Sequence, residues 1–109
     1  MTLSASRKGD IAELFVAQYF MKEGFDVFRN LGCDGPIDLI IHNRATNVTL
    51  KIDVKSQFKM TYNADGSERF NSSTIGLRDD GVWNVLYVHG EPSPRLCAGF
   101  CEALGMDVS

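Results

Sequence analysis

A helix is predicted over residues 8–23, where Val16, Ala17 and Phe20 recur at helical spacing from Glu13 and form an apolar stripe. Ser4 or Ser6 stands where a helix cap is wanted, and Gly24 stands where the helix must stop. The pattern then changes period. Phe25, Val27 and Phe28 predict a strand over 25–29, "NLGCDG" reads as a loop, and 37–42 is strongly strand-like. "NRATN" is a turn signal, and 48–55 alternates apolar and polar positions without a break. Residues 57–80 are polar and rich in Asn, Ser, Asp and Gly; they predict a long loop with a short strand at 68–75. "VWNVLYVHG" predicts a further strand from Val82, "EPSPR" ends it, 96–98 is a candidate short strand, and 100–104 is one or two helical turns. Helix, three strands, loop, strands and short helix imply an α/β or α+β domain with a mixed sheet.

Charges interrupt this pattern where a core wants aliphatic residues. In the strand over 48–55, Val48, Leu50, Ile52 and Val54 share one face, and Thr49, Lys51, Asp53 and Lys55 share the other. Asp53 and Lys55 therefore project together, about 7 Å apart. If the turn is centred between Ala45 and Thr46, Ile41 faces Leu50 and Asp38 faces Asp53. Carboxylates directly opposed across a strand pair lie roughly 4.5–5.5 Å apart and repel. A divalent cation with a preference for oxygen ligands, Mg²⁺ or Mn²⁺, would relieve them. On the helix, Glu13 heads the stripe formed by Val16, Ala17 and Phe20, so packing on the sheet would carry it toward Asp38. Three acids for a metal and one lysine for a phosphate or an attacking water make a coherent set for phosphodiester hydrolysis.

Composition adjusts this picture little. With 109 residues, a single domain spanning 1–109 is expected; 44% hydrophobic and 23% charged residues suit one packed core. No apolar run approaches the roughly 20 residues of a membrane span, and "MTLSASRKGD" lacks the apolar core of a signal peptide, so a cytoplasmic protein with no membrane partner is expected. Cys33, Cys97 and Cys101 are an odd set, read as reduced thiols. The net charge of −3 argues mildly against nucleic acid, but carboxylates that hold a metal are neutralised by it.

The residues "PID…DVKS" resemble the core of the PD-(D/E)xK nuclease superfamily, with Ile37 inserted between Pro36 and Asp38. "KGDIAELFVAQYFMKEGFDVFRN" resembles the opening helix and first strand of archaeal-type Holliday junction resolvases and related intron-encoded (homing) endonucleases. The resemblance covers residues 7–57. It implies a restriction-endonuclease-like core, with a central mixed sheet of about four or five strands flanked by helices. It also implies a Mg²⁺- or Mn²⁺-dependent DNA endonuclease acting on branched or duplex DNA. It places Glu13, Asp38, Asp53 and Lys55 on the catalytic positions, with Glu13, Asp38 and Asp53 as metal ligands and Ser56 and Gln57 beside the lysine. Asp53 stands where many members have Glu.

Arg7, Lys8, Arg29, Lys51, Gln57 and Lys59 surround the proposed centre and are the expected DNA contacts, with Arg69 and Arg78 further off in the loop. Little room is left for a separate sequence-reading domain, which favours recognition of DNA shape, or recognition shared within a homodimer or higher homo-oligomer. The competing reading is a nucleic-acid-binding or protein-interaction module that keeps the fold without the chemistry. Singly, Asp38 could be an edge-strand charge, and Glu13 a first-turn acid favoured by the helix dipole. Cys97, Cys101 and His89 lack the second pair a zinc site needs. His42 is read as a hairpin-end residue, and Trp83 and Tyr87 as core.

Overall fold

The computed structural model describes residues 2–32, 34–59, 61–69 and 75–106. Cys33 and the stretch 70–74 of the expected 68–75 strand lie outside them. Helix α1 spans Ala5–Lys22, three residues earlier at its start than the apolar pattern implied. The reason is the cap: the Ser4 side chain accepts a hydrogen bond from the Arg7 amide at 3.1 Å, so Ser6 falls inside the helix. The following strands are β1 (Asp26–Arg29), β2 (Leu39–Asn43), β3 (Val48–Gln57), β4 (Thr61–Tyr62), β5 (Glu68–Arg69), β6 (Gly76–Leu77) and β7 (Val82–Val88); helix α2 (Ala98–Leu104) comes last.

Five strands form a mixed sheet in the order β1-β2-β3-β7-β6. β3 and β7 run parallel, and the other neighbours are antiparallel. The fold is therefore α+β with a mixed sheet and two helices among the described residues, as the sequence pattern implied. β4 and β5 pair only with each other, as a short separate ribbon. The expected strand at 96–98 is replaced by a single bridge between Leu86 and Arg95, and Ala98 already belongs to α2. There Cys97 acts as the helix cap, its sulfur accepting from the Phe100 amide at 3.3 Å.

The β2–β3 hairpin has the anticipated register. Leu39 faces Ile52, Ile41 faces Leu50 and Asn43 faces Val48. Its turn closes through Asn47 at φ 60, a left-handed position that Asn tolerates better than most residues. Alternation then puts Leu39, Ile41, Ile52, Val85 and Tyr87 on one face, where they join Ala12, Val16 and Phe20 of α1 and Phe100 and Leu104 of α2 in a single core. Both helices thus cover the same face. Phe20 joins them, with ring centres 5.6 Å from Phe100 and 6.3 Å from Phe25; burying such a side chain is worth roughly 1.5–3 kcal/mol. Trp83, stacked edge-on against Phe100, and Tyr87, packed on Phe15, are core residues as expected. Among the described residues no helix is long and apolar enough to cross a membrane.

Among the described residues, Asn43 is the one buried polar residue. Its amide donates to the Leu104 carbonyl at 2.8 Å, and its oxygen accepts from the Ala45 amide at 2.9 Å. One side chain therefore satisfies both the end of α2 and the start of the hairpin turn. Removing it strands the Leu104 carbonyl and the Ala45 amide together. Asn43→Ala is expected to lower unfolding free energy by about 1–3 kcal/mol, measured by urea denaturation followed through Trp83 fluorescence. A change below a few tenths of a kcal/mol would show that water replaces both bonds freely.

Candidate active site

Asp38 precedes β2, at the point where the hairpin register continues toward Asp53. Backbone bonds lock it there. Its amide donates to the Ile52 carbonyl at 2.8 Å, and its carbonyl accepts from the Asn30 amide at 3.0 Å. Its carboxylate reaches across to β3 and accepts the Val54 amide at 2.7 Å. Asn30 braces the same segment, its side chain donating to the Asp34 and Ile37 carbonyls at 2.9 and 2.8 Å.

The two acids meet as the register requires. Burial of the Asp38 carboxyl pushes its pKa up to about 6; the Val54 amide opposes this, while the charges of Glu13 and Asp53 and a hydrogen bond with the Asp53 carboxyl add to it. The Asp38 carboxyl therefore holds its proton to a higher pH than an ordinary carboxyl does. Glu13 is raised as well, first by burial, with Arg29 pulling it back and Asp10 and Asp53 pushing it up. Its carboxylate lies 3.7 Å from the Arg29 guanidinium, which also lies 3.8 Å from Asp10. Glu13, Asp38 and Asp53 are thus within electrostatic reach of one another. Among the described residues, however, no three acidic, His or Cys side chains converge tightly enough to enclose a metal ion.

Asp53 is the most engaged of the three. Its side chain is 14% exposed, and its Oδ2 accepts from the Arg78 guanidinium at 2.6 Å while lying 3.3 Å from the Lys55 ammonium. Lys55 projects on the same face, 44% exposed. Parallel pairing of β3 with β7 sets Asn84 beside Asp53, and the side chains of paired residues point the same way. Asn84 Oδ1 is buried without a hydrogen-bond partner among the described residues. An orphaned buried amide oxygen calls for an explanation, and an ion or water is one.

The other expected contacts scatter around this centre. Arg29, at the end of β1, is tied to Glu13 and Asp10. Lys8 lies on α1 with its ammonium 5.7 Å from the centre of the Phe58 ring, which in turn stacks on His89. Arg7 is exposed in the first turn of α1. Lys51 is exposed on the face that carries Asp53 and Lys55, and Lys59 is exposed just beyond β3. Gln57 donates from its side chain to the Arg69 carbonyl at 3.1 Å, which ties the β4–β5 ribbon to the end of β3. His42 pairs with Thr49 across the hairpin at 2.7 Å. Cys97 and Cys101 are free thiols, the latter raised by burial.

Two residues escaped the sequence reading. Arg78 was visible only as a loop cation, because nothing in 57–80 tells which cation folds back on Asp53. Asn84 carried a readable signal, a polar amide within "VWNVLYV" that breaks the apolar run just as Asp53 breaks its own strand.

No family model matches the chain, and no curated protein matches it. Among solved structures the chain is similar to a bacterial homing endonuclease, I-Ssp6803I, with a TM-score of 0.51 and 22% sequence identity. The match covers 80% of this chain and 64% of that one, so the chain spans a little under two thirds of that protein's length. The mixed sheet with its helix-covered face is a fold that the two proteins share.

Proposed function

We propose that the chain is a metal-dependent DNA endonuclease that hydrolyses phosphodiester bonds. The observation that carries this reading is the opposition of Asp38 and Asp53 across the β2–β3 hairpin, with Lys55 on the same strand face. Two half-buried carboxylates in contact destabilise a fold unless a cation relieves them. The donors suit Mg²⁺ or Mn²⁺: carboxylates at Glu13, Asp38 and Asp53 and the spare amide oxygen of Asn84 are all hard oxygen ligands. When bound, such an ion supplies Lewis-acid stabilisation of the charge that builds on the phosphate.

The chain's own groups divide the remaining work. Lys55 offers an ammonium, partly exposed, to the attacking water or to a phosphate oxygen. Asp38 must give up its proton to become a full ligand, so a pKa of about 6 makes it ready near neutral pH. The exposed cations Arg7, Lys51 and Lys59, with Lys8 beside Phe58, are the groups that would meet DNA phosphates. Gln57 and Arg29 contribute through the elements they brace, the ribbon and the Glu13 side chain. The shared fold with I-Ssp6803I weighs toward a duplex cutter of the homing or restriction type; a Holliday-junction-resolvase-like enzyme is the other form. A homodimer would supply two such centres for two strands.

A second reading draws on one observation. Asp53 Oδ2 is already engaged by two cations, as befits a nucleic-acid-binding or protein-interaction module without catalysis.

Incubation of the protein with branched, duplex and single-stranded DNA, in Mg²⁺, Mn²⁺ or EDTA, separates the two. The endonuclease cuts at least one substrate in metal and none in EDTA, and Lys55→Ala and Asp53→Asn each lower the rate about 10²–10³-fold. Binding without cutting on every substrate supports the module. For the assembly, sedimentation equilibrium should give about twice the monomer mass at micromolar concentration, and a monomer under those conditions removes the dimer. A pH series tests the raised Asp38 pKa. The folded chain holds the Asp38 proton more tightly than the unfolded chain, whose carboxyl has the ordinary value of 3.8. That carboxyl's contribution to stability is greatest below 3.8 and is lost as pH rises through about 6. In EDTA, Asp38→Asn should therefore gain stability relative to the natural chain as pH rises, with the gap levelling off above neutrality. A gap independent of pH refutes the raised Asp38 pKa.

A further inference from the structure

Arg78 is placed to do more than stabilise a loop. Its backbone is fixed in the turn between β6 and β7, where its amide donates to the Val82 carbonyl at 2.9 Å and its carbonyl accepts from the Gly81 amide at 3.1 Å. Gly81 takes the left-handed conformation this turn needs, at φ 82. Asp80 completes the turn by accepting the Val82 amide at 3.1 Å. The side chain, by contrast, divides itself between two carboxylates. One guanidinium nitrogen donates to Asp53 Oδ2 at 2.6 Å, and the other to Asp80 Oδ2 at 2.8 Å. Asp80 is 44% exposed and Asp53 only 14%.

That division makes the Asp53 contact exchangeable. A divalent cation bound by the Asp53 carboxylate would bring a second positive charge close to the guanidinium, and the two would compete electrostatically for that carboxylate. A guanidinium leaving Asp53 still keeps its bond to Asp80 within its own turn. A surface pocket of about 430 Å³ lined by Arg78, Asp79 and Asp80 gives it space. A planar, always charged fork is also well suited to a phosphate.

We propose that Arg78 is a placeholder for the divalent cation: without DNA it occupies Asp53, and metal entry releases it to grip a DNA phosphate beside the cut. This inference rests on the nuclease reading above. It makes Arg78 a positioning residue that opposes metal binding in the free protein and favours DNA binding in the loaded one. An inert ion pair would do neither.

The test measures metal binding without any reaction. Mn²⁺ binding to the DNA-free protein is followed by electron paramagnetic resonance and calorimetry for the natural chain, Arg78→Ala, Arg78→Gln and Arg78→Lys. Asp53→Asn marks the site, and Arg44→Gln, which removes a cation paired with Asp26 instead, measures the general effect of losing one positive charge. Arg78→Ala and Arg78→Gln should tighten Mn²⁺ binding about tenfold, Arg78→Lys should stay near the natural value, and Arg44→Gln should change it less than about twofold. In a second arm, duplex DNA binding in Ca²⁺ is titrated against salt. Arg78→Gln should weaken it and reduce the salt slope by about one. If the natural chain binds Mn²⁺ through Asp53 but neither neutral variant tightens it beyond Arg44→Gln, or if the salt slope is unchanged, the placeholder is refuted while the nuclease reading stands. If no variant binds Mn²⁺ at millimolar concentration, both fall. Arg78→Gln keeps a donor for Asp80, so it provides the result should Arg78→Ala fail to fold.

Discussion

The pairing register of β2 with β3 is the constraint from which the rest follows. Strand side chains alternate with a period of two, so a slip by one residue would send Asp53 and Lys55 into the helix-covered core and expose Ile52. The apolar demand of that core fixes the register: Leu39, Ile41 and Ile52 are fully buried and must face α1 and α2 together. Asp38 and Asp53 are therefore set against each other by the same packing that stabilises the fold. The electrostatic strain at the centre is held in place by hydrophobic burial a few ångströms away, on the other side of the sheet.

Local rules made this hairpin legible. A turn signal fixes its centre, alternation assigns its faces, and the two together place Asp38 opposite Asp53 without reference to the remainder of the chain. The cap of α1 was legible to within two residues, because either serine can supply the same hydrogen bond to a first-turn amide. What could not be read were the long-range choices. Parallel pairing of β3 with β7 has no turn to announce it, so the position of Asn84 beside Asp53 was hidden although its polarity was not. Arg78 comes from a segment with no periodicity, and many cations there are chemically equivalent. Both helices lie on one face because the apolar sides of β2, β3 and β7 coincide, which becomes visible only once the strand order is known.

Local charge at the centre differs from the charge of the whole. The chain is net negative at −3, yet the acids at this centre each have a compensating partner: Glu13 has Arg29, Asp53 has Lys55 and Arg78, and Asp38 has the Val54 amide. These pairings are semi-exposed, so each is worth little as stabilisation. Their value is that they can be traded for stronger ligands at modest cost, which a deeply buried ion pair does not allow.

The parallel β3–β7 contact has a further consequence for how the molecule comes into being. Residues 48–57 emerge from the ribosome before 82–88 do, and until β7 pairs with it β3 is a bare sheet edge, with Asp53 lacking Asn84 beside it and Arg78 near it. Non-local parallel pairings form late because their loop must close first. The acidic hairpin thus matures in two stages, an early solvated one and a late assembled one. The half-made chain has its carboxylates in place without the neighbours that tune them.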